Sequence, residues 1–208
     1  MSAGRFISLE GGEGAGKSTQ AASLAAALAM RGIEAVVTRE PGGSEGAEGV
    51  RALLLGGDVA RWSPHSEALL FAAARADHVE KRIRPTLEAG AWVICDRFVD
   101  STRAYQGAGG IDDAAILALH AFGTKGLLPD RTLVLEIDHR EGDARASVRD
   151  AGARDRFAQK GADFHEAVAA AFRRIATREP DRVRLVDASG EPADVTARLL
   201  AELADLLP

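Results

Sequence analysis

Gly11, Gly16, Lys17 and Ser18 stand at the spacing G-x-x-x-x-G-K-[ST], directly after an apolar run and before an alanine-rich segment. That pattern carries phosphate chemistry. Across Gly11, Gly12, Glu13, Gly14, Ala15, Gly16, Lys17, Ser18 and Thr19 the glycines let the backbone curl until its N–H groups point at phosphate oxygens, and the helix that follows offers its positive end. Lys17 is then placed to bridge the β and γ phosphates of ATP, and the Ser18 hydroxyl to ligate Mg²⁺. The loop alone does not separate kinases from GTPases, ATPase motors or phosphate-binding regulators, so the acceptor must be read from other residues.

Asp96 and Arg97 close the apolar run 91–95. At a strand end beside the loop, a carboxylate can support Mg²⁺ through water and a guanidinium can take a phosphate in bidentate fashion; a salt bridge that caps the strand is the structural alternative. Phe71 and Arg75 are spaced i, i+4, so on a helix they share a face. They can serve one planar ligand, or be a core ring beside a solvated cation. Arg39 precedes Glu40-Pro41-Gly42-Gly43, a turn in which proline presets the chain. Segment 140–161 mixes basic and acidic residues with glycine, has little apolar patterning, and reads as a mobile flap or lid.

These residues need elements to hold them. Residues 6–10 read as a strand, 17–30 as a helix stopped by Gly32, 33–38 as a β-branched strand, 66–87 as one long helix, and 91–95 as a buried strand. The pattern continues with a strand at 132–137, a helix at 164–178, a short strand at 183–186 and a closing helix at 195–207. Such alternation predicts an α/β fold, a mostly parallel sheet with helices on both faces. Ligands of such sheets gather beyond the carboxyl ends of the strands, where both Gly11–Lys17 and Asp96-Arg97 fall.

The 208 residues suit one compact α/β domain with an inserted flap at 140–161. A net charge of -5 argues against a nucleic-acid groove, which requires a broad basic footprint. The single cysteine, Cys95, lies within an apolar run; no intramolecular disulfide can form, and a buried thiol in a reducing cytoplasm fits. No signal-peptide-like apolar region precedes the first strand and no stretch is long enough to span a bilayer, which predicts a soluble, cytoplasmic protein with no membrane partner.

Read in order, Leu9-Glu10-Gly11-Gly12-Glu13-Gly14-Ala15-Gly16-Lys17-Ser18-Thr19, Thr38-Arg39-Glu40-Pro41-Gly42-Gly43 and Phe71-Ala72-Ala73-Ala74-Arg75 are followed by Asp96-Arg97-Phe98-Val99-Asp100-Ser101-Thr102-Arg103-Ala104-Tyr105-Gln106-Gly107. Together with Pro129-Asp130, Arg154-Asp155-Arg156-Phe157 and Val186-Asp187-Ala188, these blocks resemble bacterial thymidylate kinase over nearly the whole chain. The resemblance implies a P-loop NTPase fold with a mobile lid, phosphorylation of dTMP to dTDP by ATP with Mg²⁺, and a homodimer.

By the same resemblance, Phe71 stacks on the thymine ring and Arg75 donates to its O4. A guanidinium has only donors, so it suits a keto oxygen and not the amino group of cytosine. Arg39 and Arg97 grip the acceptor phosphate, Tyr105 and Gln106 line the deoxyribose and base pocket, and Glu13 reaches the 3′ side of the sugar. Ser101 and Thr102 lie near the base edge, although either hydroxyl can instead cap a helix. Ala15 stands where one branch of the family has a basic residue on the γ-phosphate. The missing charge is expected from the lid: Arg154 and Arg156 first, Arg149 third. Ala158 replaces an acid usual in the lid motif, and Gly142-Asp143-Ala144-Arg145 replaces a usual Gly-Leu-x-Arg. The stretch Ala188 to Gly190 is implied as one wall for adenine.

Two other readings remain open at this level. Another nucleotide or nucleoside kinase is one, although paired phosphate-gripping arginines argue for an acceptor that already carries a phosphate. The other is a P-loop regulatory switch, against which stands the lack of a guanine-reading Asn-Lys-x-Asp stretch. In direct in-line transfer Lys17 acts by neutralising charge. Lys17→Ala is therefore expected to lower kcat on the order of 10²–10³-fold, and turnover near wild type in a coupled ADP assay would remove Lys17 from that role.

Overall fold

The computed structural model describes residues 4–138, 141–142, 145 and 156–208. Five parallel strands form one sheet in the order β2-β3-β1-β4-β5: β1 (Phe6–Gly11), β2 (Ala35–Arg39), β3 (Trp92–Asp96), β4 (Arg131–Glu136) and β5 (Val183–Asp187). The helices between them are α1 (Lys17–Ala29), α2 (Glu45–Leu55), α3 (Pro64–His78), α4 (Arg84–Glu88), α5 (Val99–Ala108), α6 (Asp113–Thr124), α7 (Ala162–Arg178) and α8 (Pro192–Ala201).

Strand β1 shows why both faces are covered. Ile7 and Leu9 belong to a core completed by Ala21, Leu24 and Leu28 of α1 and by Val195 and Leu199 of α8. Phe6 points the other way, into a cluster with Phe98, Val99 and Ile116 on the α5–α6 side. Period-two alternation therefore sends Ser8 and Glu10 to the same side as Phe6, although both are polar and fully buried. Strand β4 repeats the division, with Leu133 and Leu135 toward α1 and Val134 toward α7.

The strands lie within a residue or two of the expected positions. Three helices, α2, α5 and α6, were not among the expected elements, and the long helix expected at 66–87 is interrupted. Between α3 and α4 a five-residue π segment, Val79–Ile83, shifts the register, and the Arg84 N–H reaches back to the Val79 carbonyl. Pro85 follows at once; it has no N–H to give and its ring crowds the preceding turn, so a wider turn ahead of it relieves the clash. The closing helix begins earlier than expected because Pro192 opens it, and it ends at Ala201.

Helix α5, which carries several candidate site residues, is fixed by an ionic network beneath it. Asp100 is fully buried and accepts from Arg182 Nη1 and Nη2 at 2.7 and 2.9 Å, Arg103 Nη1 at 3.0 Å and Thr132 Oγ1 at 2.9 Å. Burial alone would raise its pKa, but these donors hold it below the usual carboxylate value. Asp100→Asn leaves two arginines facing a neutral amide, and a loss of roughly 3 kcal/mol in urea-unfolding free energy is expected. An unchanged midpoint and slope would show that the network does not hold α5.

Candidate active site

The phosphate loop emerges from β1 at the centre of the sheet. Gly11 adopts φ 130°, and a Cβ there would lie 2.5 Å from the Leu135 carbonyl oxygen, so only glycine lets the chain turn beside β4. Gly16, at φ 85°, then caps α1. Lys17 folds its ammonium back onto the loop, donating to the carbonyls of Gly12 at 2.6 Å and Gly11 at 3.2 Å. Burial, and secondly the charge of Arg97, push its pKa down to about 7. A lysine held in this way is poised to recover its full charge against phosphate.

Beyond Lys17, the Ser18 hydroxyl donates to Asp96 Oδ2 at 2.5 Å, across the gap between the loop and the end of β3. A hydroxyl and a carboxylate oxygen side by side beneath a phosphate loop are hard oxygen donors of the kind Mg²⁺ takes together with phosphate and water. Arg97 follows in a left-handed conformation, φ 71°, which is strained for a residue with a side chain. Its guanidinium donates to Gly11 O at 3.3 Å, Ser101 Oγ at 3.0 Å and Tyr105 Oη at 3.2 Å, and it lies 5.0 Å from the Tyr105 ring centroid.

Two cavities meet at this arginine. One, of about 480 Å³, is lined by Gly14, Gly16, Lys17, Ser18, Thr19, Arg39 and Asp96, the polar groups a triphosphate requires. The other, of about 110 Å³, is lined by Phe71, Arg75, Ser101, Thr102, Tyr105 and Gln106, with Phe157 as a further wall. Glu13, Glu40, Arg51, Leu55 and Arg97 line both. Arg75 is held edge-on: Nε donates to Glu40 Oε2 at 2.7 Å and Nη2 to Thr102 Oγ1 at 2.8 Å. Glu40 is buttressed in turn by His78 Nδ1 at 3.0 Å.

Of the expected acceptor residues, Glu13, Phe71, Arg75, Arg97, Ser101, Thr102, Tyr105 and Gln106 converge on the smaller cavity. Arg39 does not. It opens onto the phosphate cavity, pairs with Glu48 at 2.9 Å and is 55% exposed. Arg149 and Arg154 lie outside the described residues. Arg156, expected as a lid cation at the γ-phosphate, is 1% exposed, ion-paired with Glu67, donates to the Leu54 carbonyl at 2.9 Å and does not line the phosphate cavity.

Arg51, Glu40, Phe157 and Glu10 were missed by the sequence reading. Arg51 donates to the Pro41 carbonyl at 2.6 Å from α2, a helix whose Gly46 and Gly49 weaken its signal. Glu40 and Phe157 lay inside recognised blocks but were given no role. Glu10 had only the period-two rule to mark it, one residue before the loop.

Fold and site together define a P-loop nucleotide-binding protein of the phosphotransferase type, with a separate aromatic cavity for an acceptor. The family model described as thymidylate kinase matches residues 9–199. Thymidylate kinase of Rhizorhabdus wittichii is 58% identical over 206 residues, 99% of each chain, and that of Caulobacter vibrioides is 52% identical over 96% of this chain and 95% of its own. The crystal structure of thymidylate kinase from Ehrlichia chaffeensis superposes with a TM-score of 0.78 at 32% identity, covering 97% of this chain and 99% of its own. The chain belongs to the thymidylate kinase family.

Glu10 ties the two cavities together from below. Its carboxylate accepts from the Phe98 N–H at 2.7 Å, Ser101 Oγ at 2.5 Å and Ser8 Oγ at 3.0 Å, so a side chain of β1 caps α5. Burial, and secondly the charge of Asp100, raise its pKa to about 7 from 4.5. The unfolded chain thus loses this proton first, and between those values the folded state binds more protons. Stability therefore falls as pH rises through this window and levels off above it. Relative to Glu10→Gln, wild-type unfolding free energy is expected to drop on the order of 1–3 kcal/mol between about pH 5 and pH 8. Parallel curves for the two proteins would return Glu10 to an ordinary carboxylate.

Proposed function

We propose that the protein transfers the γ-phosphoryl group of ATP to dTMP, giving ADP and dTDP. The observation that carries this reading is the meeting of the two cavities at Arg97, Arg51 and Glu13. A phosphate anchored by Arg97 in the acceptor cavity faces the γ-phosphate cradled by Lys17. An oxygen of the acceptor phosphate attacks the γ-phosphorus in line; the bond to the β–γ bridging oxygen breaks, and its electron pair leaves with ADP. The attacking oxygen is already anionic at neutral pH, so no strong base and no covalent enzyme intermediate is required.

Lys17 and the loop N–H groups hold the donor, and Ser18 and Asp96 would hold Mg²⁺. When bound, the ion neutralises charge on the β and γ phosphates. Phe71 stacks on thymine. Arg75 turns its guanidinium edge to the base, and with Nε and Nη2 committed to Glu40 and Thr102 it presents only donors there, which fits a 4-keto oxygen. Tyr105, held by Arg97, crowds the position a 2′-hydroxyl would take. Arg39 reaches the acceptor phosphate only by leaving Glu48, and among the flap arginines the sequence nominates Arg154 for the further charge.

A second copy of the chain pairs with the first through α3 and α6. Leu69 and Phe122 are 56% and 93% exposed on these two helices, which pack together with Gly123 against Ala76. No helix among the described residues is long and apolar enough to cross a membrane. A cytoplasmic setting agrees with that and with the buried, unpaired Cys95.

The test is ADP release by the purified protein with MgATP and, in turn, thymidine, dTMP, dUMP, dCMP, ribothymidine monophosphate, AMP and GMP. Turnover is expected with dTMP foremost, dUMP next, and dCMP at least 10²-fold lower in kcat/KM, roughly the penalty for leaving polar groups of the pocket unpaired. Preference for another monophosphate would keep the phosphoryl transfer and discard the thymine assignment.

A further inference from the structure

Glu67 occupies the first turn of α3, where an acidic side chain ordinarily faces water and the helix dipole. Here it is 4% exposed and does not line either cavity. One of its oxygens pairs with Arg156, and the other accepts from Gln106 Nε2 at 3.3 Å. Gln106 is itself 2% exposed and lines the acceptor cavity, and its Oε1 has no hydrogen-bond partner among the described residues. Phe157, next to Arg156, forms part of the same cavity wall and stacks obliquely on Phe71 at 5.7 Å.

The geometry points to Glu67 as a positioning residue that fixes which end of the Gln106 amide the acceptor base meets. An ionised carboxylate only accepts hydrogen bonds, so it must face the NH₂ group of Gln106. The ion pair with Arg156 holds the Glu67 carboxylate in place, and the Gln106 carbonyl oxygen is left for the ligand. An unpartnered buried acceptor selects a ring that carries an N–H, the imide of thymine or uracil, and rejects cytosine, whose N3 is itself an acceptor. Arg75 reads the 4-position by donating and Gln106 reads the 3-position by accepting. Glu67 makes the second of these readings unambiguous, and the salt bridge to Arg156 ties it to the last part of segment 140–161.

This inference rests on the dTMP reading above, and the test separates the two. Glu67→Gln keeps the shape but can face either end of the Gln106 amide. The measurement is kcat/KM for dTMP and for 5-methyl-dCMP, which differ only at the 3- and 4-positions, in wild type and variant. Arg75 penalises the 4-amino group equally in both proteins, so a change in the ratio reports Gln106 alone. The ratio is expected to narrow about tenfold in Glu67→Gln. Equal losses for both substrates, or none, would make Glu67 a mere brace for Arg156 and overturn the assignment.

A second variant covers a Glu67→Gln that does not fold: Gln106→Leu removes the acceptor itself and is expected to narrow the ratio for dTMP over 5-methyl-dCMP about tenfold. An unchanged ratio also overturns the assignment. Wild type that binds dTMP without turning it over would refute the proposed function instead.

Discussion

Two cations, the buried Lys17 and the half-buried Arg97, converge on a single backbone oxygen, the carbonyl of Gly11, at 3.2 and 3.3 Å. Most of the molecule can be read as the means of holding them there. Like charges at such range repel strongly in a medium of low polarity, and Lys17 yields first because it can release a proton whereas a guanidinium cannot. Strand order decides that they meet at all: β1 pairs with β3, so the loop after one and the Asp96-Arg97 corner after the other end side by side. Incoming phosphates are the natural relief of that repulsion. This is why the site can be so positive locally in a chain whose net charge is -5.

The acceptor side is built from less regular pieces. Helix α3 supplies Phe71 and Arg75 from one face, helix α5 supplies Thr102, Tyr105 and Gln106, and Phe157 closes the wall. Each polar reader is set by a buried acid behind it: Glu40 behind Arg75, Glu10 behind Ser101, Glu67 behind Gln106. These carboxylates are buried, and each has partners enough to offset its desolvation. Rigidity comes from the second layer of side chains, and the first layer is therefore free to face the ligand.

How much of this was legible in the sequence varied with the range of the interaction. The phosphate loop is local, a run of residues whose order is its function, and it folded as its spacing implied. Strands β1, β3 and β4 were legible because burial on both faces leaves near-continuous apolar runs. Helix α2 was hidden by Gly46 and Gly49, and Arg51 was hidden with it. The burial of Arg156 was not legible because a basic residue in a charged segment looks solvated; its pairing depends on Glu67, 89 positions earlier, and no periodicity links them. Buried acids such as Glu10 and Glu67 are the hardest to find, since composition places carboxylates outside.

Cys95 gives the architecture a built-in witness. It sits in β3, fully buried, its Sγ directed at the Arg97 carbonyl at 3.0 Å, and burial holds its thiol pKa well above the ordinary value. A thiol reagent can therefore reach it only when β3 parts from its neighbours. Because that strand ends at Asp96 and leads directly into Arg97, the rate at which the lone thiol is alkylated is a clock for the opening of the phosphate corner itself. Nucleotides that clamp this corner slow the clock exponentially in the free energy they contribute, by the factor 1 + [L]/Kd.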